Sequence, residues 1–235
     1  MSSQRPSAVP AAVVDLVGFA AYSELAEFGL LATRSVDAPD LAVRQALADG
    51  ADRALDRERA VLAVVEGSAA EVMAPFADAL TEFDTRTRTD DWAEGVLKGV
   101  VGHGVAQDFC RALAAGVEDP VGKKLREVLD RPAPGPAAGA EAGADAEAIE
   151  VLGRLGAGDE VLASRLALWG RRVVGEALSL VTVLLDQHPG LDELAARAPA
   201  AHGADEVEPD GARTWLVARL TAEHTRRMDR LRLAA

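Results

Sequence analysis

The sequence predicts an all-α protein, a bundle of helices around a common core. Alanine, the strongest helix former, supplies 48 of the 235 residues, while aromatic residues make up only 4%. Apolar residues recur at helical spacing along most of the chain, and no stretch alternates for long enough to predict a sheet. A chain of this length, 49% apolar, is sufficient for one large domain with its own core.

Breakers and periodicity place the elements in order along the chain. We predict helices at about 11–31, 37–66, 70–83, 92–115, 121–130, 146–155, 160–187 and 211–233. The sequence His188-Pro189-Gly190 is interpreted as the end of the longest helix, and 199–209 as an acidic loop. Residues 11–235 are expected to form one domain. Residues 1–10 are expected to be disordered, and the Pro/Gly/Ala segment 131–145 to be a flexible insert.

Charge and cysteine content limit the function classes. The formal net charge of −13 disfavours a broad phosphate-binding surface, because nucleic-acid binders display a strongly basic face. The single cysteine, Cys110, cannot form an intramolecular disulfide, and residues 1–10 lack the features of a secretory signal. We therefore expect a cytoplasmic protein.

Two long apolar stretches, 11–32 and 166–185, are predicted to be central helices of the bundle rather than membrane spans. The first contains Glu24 and Glu27, and the second contains Arg171 and Glu176 near its middle. Each such charge at the centre of a bilayer would cost a few kcal/mol or more. No membrane partner is expected.

Several ionisable residues fall in phase with the apolar faces of their helices. In the first helix Glu24 shares a face with Val17 and Leu31, and in the longest helix Glu176 is in phase with Val173. The candidates for inward polar groups and metal ligands are Glu24, Glu58, Asp108, Glu176 and His224, with His103 as a further imidazole.

A buried carboxylate needs a cation, a proton or a metal. Four-helix carboxylate bundles meet this need by binding two metal ions with glutamates and two Glu-x-x-His elements. The alternative is a structural role, in which Arg171, Arg172 or Arg226 neutralises Glu24 and Glu176 in buried ion pairs, or the two glutamates cap backbone groups. The residues leave both possibilities open.

Five runs of sequence resemble an actinobacterial ferritin-like family. They read VDLVGFAAYSEL at 14–25, MAPF at 73–76 continuing to 92, VGHGVAQDF at 101–109, RLALWGRRVVGEAL at 165–178 and LTAEHTRRM at 220–228. That family is similar to the non-haem di-iron hydroxylase that acts on methylthio-isopentenyl-adenosine in tRNA. The resemblance implies a ferritin-like bundle with additional C-terminal helices, and it gives Glu24 the role of the lone metal-binding glutamate of the first helix.

The chain departs from the metal-binding pattern that the resemblance implies. The first expected Glu-x-x-His corresponds to 52–55, which ends in Leu55, and the second falls at the 131–145 insert. The usual Gly-Asp-Gly of the third helix reads Gly102-His103-Gly104, and no Glu precedes a His by three residues anywhere in the chain. The cofactor prediction is accordingly either none or iron in a divergent site.

Two functions follow as hypotheses. The first is a degenerate member without a complete di-iron site, which acts as a binding or scaffold protein. The second is an oxygen-dependent di-iron hydroxylase in which Glu24 and Glu176 supply carboxylates and His224 an imidazole. Only the second implies tRNA as a partner, with Arg226, Arg227, Arg230 and Arg232 as candidate phosphate contacts or simply a solvated helix end. Catalytic residues are not assigned, and a homodimer is left open.

Overall fold

The computed structural model describes residues 9–118, 120–130, 146–204 and 211–233. Helices joined by short connections make up these ranges, and no strand occurs within them, which confirms the all-α prediction. The expectations for residues 1–8 and 131–145 lie outside the described residues.

The helices follow the predicted order, with bounds that differ in detail. They are α1 (Ala11–Val36), α2 (Leu41–Leu62), α3 (Ala69–Met73), α4 (Ala77–Arg86), α5 (Trp92–Lys98), α6 (Gly104–Ala114), α7 (Val121–Leu129), α8 (Ala146–Gly158), α9 (Glu160–Gln187), α10 (Pro189–Ala201) and α11 (Ala212–Arg230). A 3₁₀ turn, Ala74–Phe76, leads into α4, and a π turn, Gly99–His103, joins α5 directly to α6.

Aspartates fix the starts of three helices. Asp40 caps α2, Asp91 caps α5 and Asp159 caps α9, each by accepting a hydrogen bond from a backbone N–H of the first helical turn. These bonds satisfy donors that have no partner inside the helix. A short acidic side chain before an apolar run therefore locates these boundaries in the sequence.

Helix α1 lies at the centre of the bundle, between α2 and the continuous α5–π–α6 rod. Leu31 packs on Gly50 of α2, where a β-carbon would lie 3.0 Å from Leu31 Cδ1. On its other side Phe19 meets Phe109 edge to face, with ring centroids 5.5 Å apart. Helix α3 crosses α1 at Gly18, where a β-carbon would overlap the Val72 carbonyl oxygen.

The prediction missed α10. The sequence His188-Pro189-Gly190 does end α9, but Pro189 also occupies the first turn of a new helix, where its missing N–H costs no hydrogen bond. Helix α10 buries Leu191 and Leu194. After it, α11 packs on α6, α9 and α10 and fully buries Leu216 and Leu220.

The length and apolar character of the described helices test whether any of them could span a membrane. None of them combines the length and the apolar character that a bilayer span requires.

Candidate functional site: a buried polar network and an adjoining cleft

Glu24 lies at the centre of a buried set of polar contacts, and the residue is only 2% exposed. Arg57 of α2 donates from Nε to Glu24 Oε2 at 3.0 Å, and its Nη2 lies 2.9 Å from the same oxygen. Gln107 of α6 donates from Nε2 to Glu24 Oε1 at 3.1 Å. His103 Nε2 lies 3.4 Å from Oε2. Both carboxylate oxygens of Glu24 are thus engaged by side chains of the protein.

The contacts continue from Glu24 to the C-terminal helix. Arg111 donates to Gln107 Oε1 at 3.2 Å and lies 3.4 Å from Asp108 Oδ1. Arg227 of α11 donates to Asp108 Oδ2 at 2.7 Å and is itself 5% exposed. We call this set the arginine–carboxylate network; its members are Glu24, Arg57, Gln107, Asp108, Arg111 and Arg227.

Three glycines around the π turn let neighbouring side chains approach the helix backbone. A β-carbon at Gly99 would lie 3.0 and 3.1 Å from the Glu27 carboxylate oxygens, and one at Gly102 would lie 2.9 Å from the Phe83 ring. At Gly104 it would overlap the guanidinium of Arg227. The Gly102-His103-Gly104 motif therefore serves close packing on both sides of His103.

The structure places the five predicted site residues in different surroundings. Glu24, Glu58 and His224 are buried, as their phase predicted, and Asp108 is half-buried in the network. The pKa of the Glu58 carboxyl is raised, mainly because burial disfavours its charged form. Glu24 and Asp108 belong to one network, whereas the ion pair that the described part of the chain gives Glu176 is with Arg86.

The prediction that Glu176 points inward is wrong. Its side chain is 27% exposed and lies 3.6 Å from Arg86 of α4. The inward face of α9 includes Val173, as predicted, but it continues through Ala177 and Val181, so the buried position is one residue after Glu176. Glu176 looked inward because apolar residues occupy several faces of this helix.

His224 is a buried imidazole outside the network. It is 4% exposed, and neither ring nitrogen has a hydrogen-bond partner among the described residues. Loss of hydration, together with the nearby charge of Arg227, lowers the pKa of His224 to about 4. The imidazole is therefore neutral at physiological pH.

Arginines do pair with the network carboxylates Glu24 and Asp108, but they are not the arginines that the sequence suggested. Glu24 pairs with Arg57 rather than with Arg171, Arg172 or Arg226, which are exposed. Arg227 was grouped with the exposed basic residues of the last helix, yet it is buried against Asp108.

The donor set does not fit a di-iron centre. Within the described ranges no group of three or more His, Cys, Asp or Glu residues is arranged to hold a metal ion. A guanidinium contacts each of the two carboxylates of the network, Glu24 and Asp108, where a metal-binding site would need those oxygens free.

A cleft of about 660 Å³ adjoins the network. Helices α1, α4 and α9 line it together with Lys98, the π turn and the start of α6. His103 connects the two features, since it lines the cleft and its Nε2 lies near Glu24 of the network. Lys98, also a lining residue, is buried and forms an ion pair with Asp84.

A family model described as "Ferritin-like domain, actinomycetes" matches residues 8–197. The chain belongs to this family. No curated protein matches it. The matched part of this ferritin-like chain contains Glu24, Arg57 and the cleft, and it ends within α10. Helix α11, which contributes Arg227 to the network, lies beyond the matched residues.

Proposed function

We propose that this ferritin-like protein binds a small organic ligand and works without a di-iron centre. The observation that carries the proposal is the contact of Arg57 with Glu24 at 2.9 and 3.0 Å. Glu24 matches the lone metal-binding glutamate that the family resemblance implies, and here a cation of the protein itself neutralises it.

The energetics of burial favour this arrangement over a metal. A metal at Glu24 would have to displace Arg57 and leave a buried guanidinium without its counter-ion, which typically costs about 3–5 kcal/mol. Asp108 presents the same obstacle, because Arg111 and Arg227 both contact its carboxylate. Glu24 and Asp108 are thus compensated without any added ion.

The cleft favours a binding role over a purely structural one. A cavity of about 660 Å³ lies within the usual range for small-molecule sites, and its lining combines apolar walls with a few polar side chains. It adjoins the network through His103.

Metal analysis tests the first half of the proposal. The full chain is purified from iron-supplemented cells and its iron is measured by inductively coupled plasma mass spectrometry. We expect less than about a tenth of an iron per chain. About two irons per chain, lost in Glu24→Gln and retained in the exposed control Glu66→Ala, would contradict it.

Native mass spectrometry tests the second half. We expect the purified chain to carry a non-covalent small-molecule adduct. Ala26→Trp should remove the adduct, because Ala26 is exposed and lines the cleft, so a large side chain can fill the cleft without disturbing the core. The control is Ala222→Trp on α11, which is exposed and outside the cleft. An absent adduct would leave a scaffold role.

The second candidate is an oxygen-dependent hydroxylase with a divergent iron site, the activity implied by the resemblance to the tRNA-modifying enzyme. One observation favours it: the π turn Gly99–His103 lies beside Glu24 and the cleft, and π turns within α-helices are frequent at functional sites. Under this candidate the protein would be an oxidoreductase and tRNA its partner. The iron measurement above separates the two functions.

A further inference from the structure

The cleft is elongated and lies along α1. Its lining residues on that helix extend from Phe19 to Arg34. Fifteen residues of α-helix at 1.5 Å each span about 22 Å. On the opposite wall α4 and the residues after it run in the same direction, from Leu80 to Thr89. A ligand that fills the cleft is therefore long and narrow.

One end of the cleft is apolar. Phe19, Val105 and Val181 line it and are at most 2% exposed, and Leu80 and Ala177 complete the wall. All five belong to or pack against the same hydrophobic core cluster. Burial of a hydrocarbon chain here would contribute about 0.8 kcal/mol for each CH₂ group.

The other end carries two arginines, Arg34 and Arg88. Arg34 Nη2 donates to the Thr89 carbonyl oxygen at 3.0 Å, which places Arg34 beside the segment that bears Arg88. In the described ranges neither guanidinium pairs with a carboxylate. Arg34 is half-buried and Arg88 is exposed, so both guanidinium groups can reach a ligand at this end of the cleft.

We infer that the cleft binds a long-chain carboxylate, with its hydrocarbon chain between Phe19 and Val181 and its head group at Arg34 and Arg88. This inference rests on the proposed binding function and names its ligand class. The guanidinium fork matches a carboxylate with two parallel hydrogen bonds. A chain of about fourteen carbons spans about 17 Å, since carbon–carbon bonds of about 1.5 Å form a zigzag, and so fits within the cleft.

Glu27 and Asp84 also line the cleft and restrict the charge of the ligand. Glu27 lies over Gly99 of the π turn, and Asp84 is paired with Lys98. The lining sets three cations, Arg34, Arg88 and Lys98, against these two acids, a surplus of one positive charge. The cleft is thus matched to one negative charge at its arginine end.

The test is calorimetric titration of the full chain, stripped of bound lipid on a hydrophobic resin, with myristate below its micelle concentration. We expect saturable binding of one myristate per chain. Tetradecylamine, with the same chain and the opposite charge, should bind at least about 10-fold more weakly, because two arginines repel it. Octanoate should bind at least about 100-fold more weakly, because it lacks six CH₂ groups.

Variants locate the head group. Arg88→Ala should weaken myristate binding about 5-fold and Arg34→Gln about 10-fold, as expected for the loss of a charge-assisted hydrogen bond. The matched control is Arg86→Ala, on the same segment and with the same charge change, but outside the cleft. It should change the affinity less than about 2-fold.

The outcomes that overturn the inference differ from those that overturn the proposed function. No saturable myristate binding, or equal binding of tetradecylamine, would exclude the ligand class. An effect of Arg86→Ala equal to that of Arg88→Ala would exclude the head-group position. A native adduct that is not a carboxylic acid would exclude the inference and leave the binding function intact, whereas iron bound at Glu24 would exclude the binding function itself.

Discussion

At the scale of single residues, the interior of this protein depends on pairs rather than on individual side chains. Glu24 and Arg57 are both largely buried, and each supplies the charge that the other requires. A buried pair of this kind contributes little net stability compared with apolar residues, but the loss of one partner leaves an uncompensated charge.

We therefore predict that Glu24→Leu destabilises the fold by about 3–5 kcal/mol, because it strands Arg57 in the interior. The double variant Glu24→Leu/Arg57→Met should recover most of that loss. Urea denaturation of the four proteins measures the coupling. Purely additive effects of the two substitutions would contradict the prediction.

His224 should make stability depend on pH. Its pKa is about 4 in the folded state and about 6.5 when unfolded. The contribution of neutral His224 to the free energy of unfolding is therefore fully present above pH 6.5. It is lost as the pH falls toward 4, because the imidazole takes up a proton more readily in the unfolded chain than in the folded protein. We expect a loss of about 2 kcal/mol between pH 7.5 and pH 5 from this group.

The variant His224→Leu measures that contribution. It should reduce the loss of stability between pH 7.5 and pH 5, with urea denaturation at both pH values as the readout. The matched control is Ala222→Leu, which places a leucine on the exposed face of the same helix and removes no titratable group. An unchanged pH dependence in His224→Leu would show that other groups govern the acid response.

The Glu24–Arg57 part of the site can be predicted from the sequence. The phase of α1 predicts that Glu24 is buried, and the spacing of α1 and α2 in the sequence also indicates its pairing with Arg57. In an antiparallel helix hairpin, facing residues have numbers with a constant sum: Leu31 faces Gly50, and Glu24 faces Arg57, both with the sum 81. Gln107 and Arg227 had no such signal, because their neighbours are distant in the chain.

At the scale of helices, glycines decide which elements come close. Gly18 lets α3 cross α1, whereas Gly175 on α9 has nothing within 4 Å of a β-carbon. Both glycines lie inside a helix and differ only in how closely other atoms approach them, so the same substitution at the two positions isolates the effect of packing.

We predict that Gly18→Ala lowers the melting temperature and that Gly175→Ala raises it. The alanine at 18 would collide with the Val72 carbonyl oxygen, which belongs to the backbone and cannot turn aside. The alanine at 175 only gains helix propensity, worth up to about 1 kcal/mol. Thermal unfolding followed by circular dichroism measures both, and a stabilising Gly18→Ala would contradict the packing described here.

Prediction of the helices from sequence succeeded where a single apolar stripe or an aspartate cap marks them. It failed for α10, because Pro189 is compatible with both a helix end and a helix start. It also failed for the phase of α9, since Trp169, Leu178 and Leu180 give this helix apolar residues around much of its surface.

At the scale of the whole molecule, α11 lies beyond the part of the chain that the family model matches, yet it packs into the same core. Leu216, Leu220 and Met228 are fully buried, and Arg227 completes the network at Asp108. The helix is therefore part of the core rather than an appendage.

We predict that truncation after residue 203 prevents cooperative folding. It would expose the apolar faces of α6 and α10 and remove the counter-ion that Arg227 gives Asp108. Circular dichroism melts and size-exclusion chromatography should show a loss of the sharp transition and an aggregated or expanded chain. A truncated chain with the melting temperature of the full chain would show that residues 8–197 fold alone.

The π turn between α5 and α6 has a consequence for how this helix can evolve. Its hydrogen bonds span one residue more than those of an α-helix, so the turn takes up one extra residue without rotating the helix that follows it. Deletion of a single residue such as Val100 should therefore restore an ordinary α-helix and leave Gln107 facing Glu24. A deletion within α6 would instead rotate every later residue of that helix by about 100°. The rod can thus change its length at the π turn while the contacts after the turn stay in place.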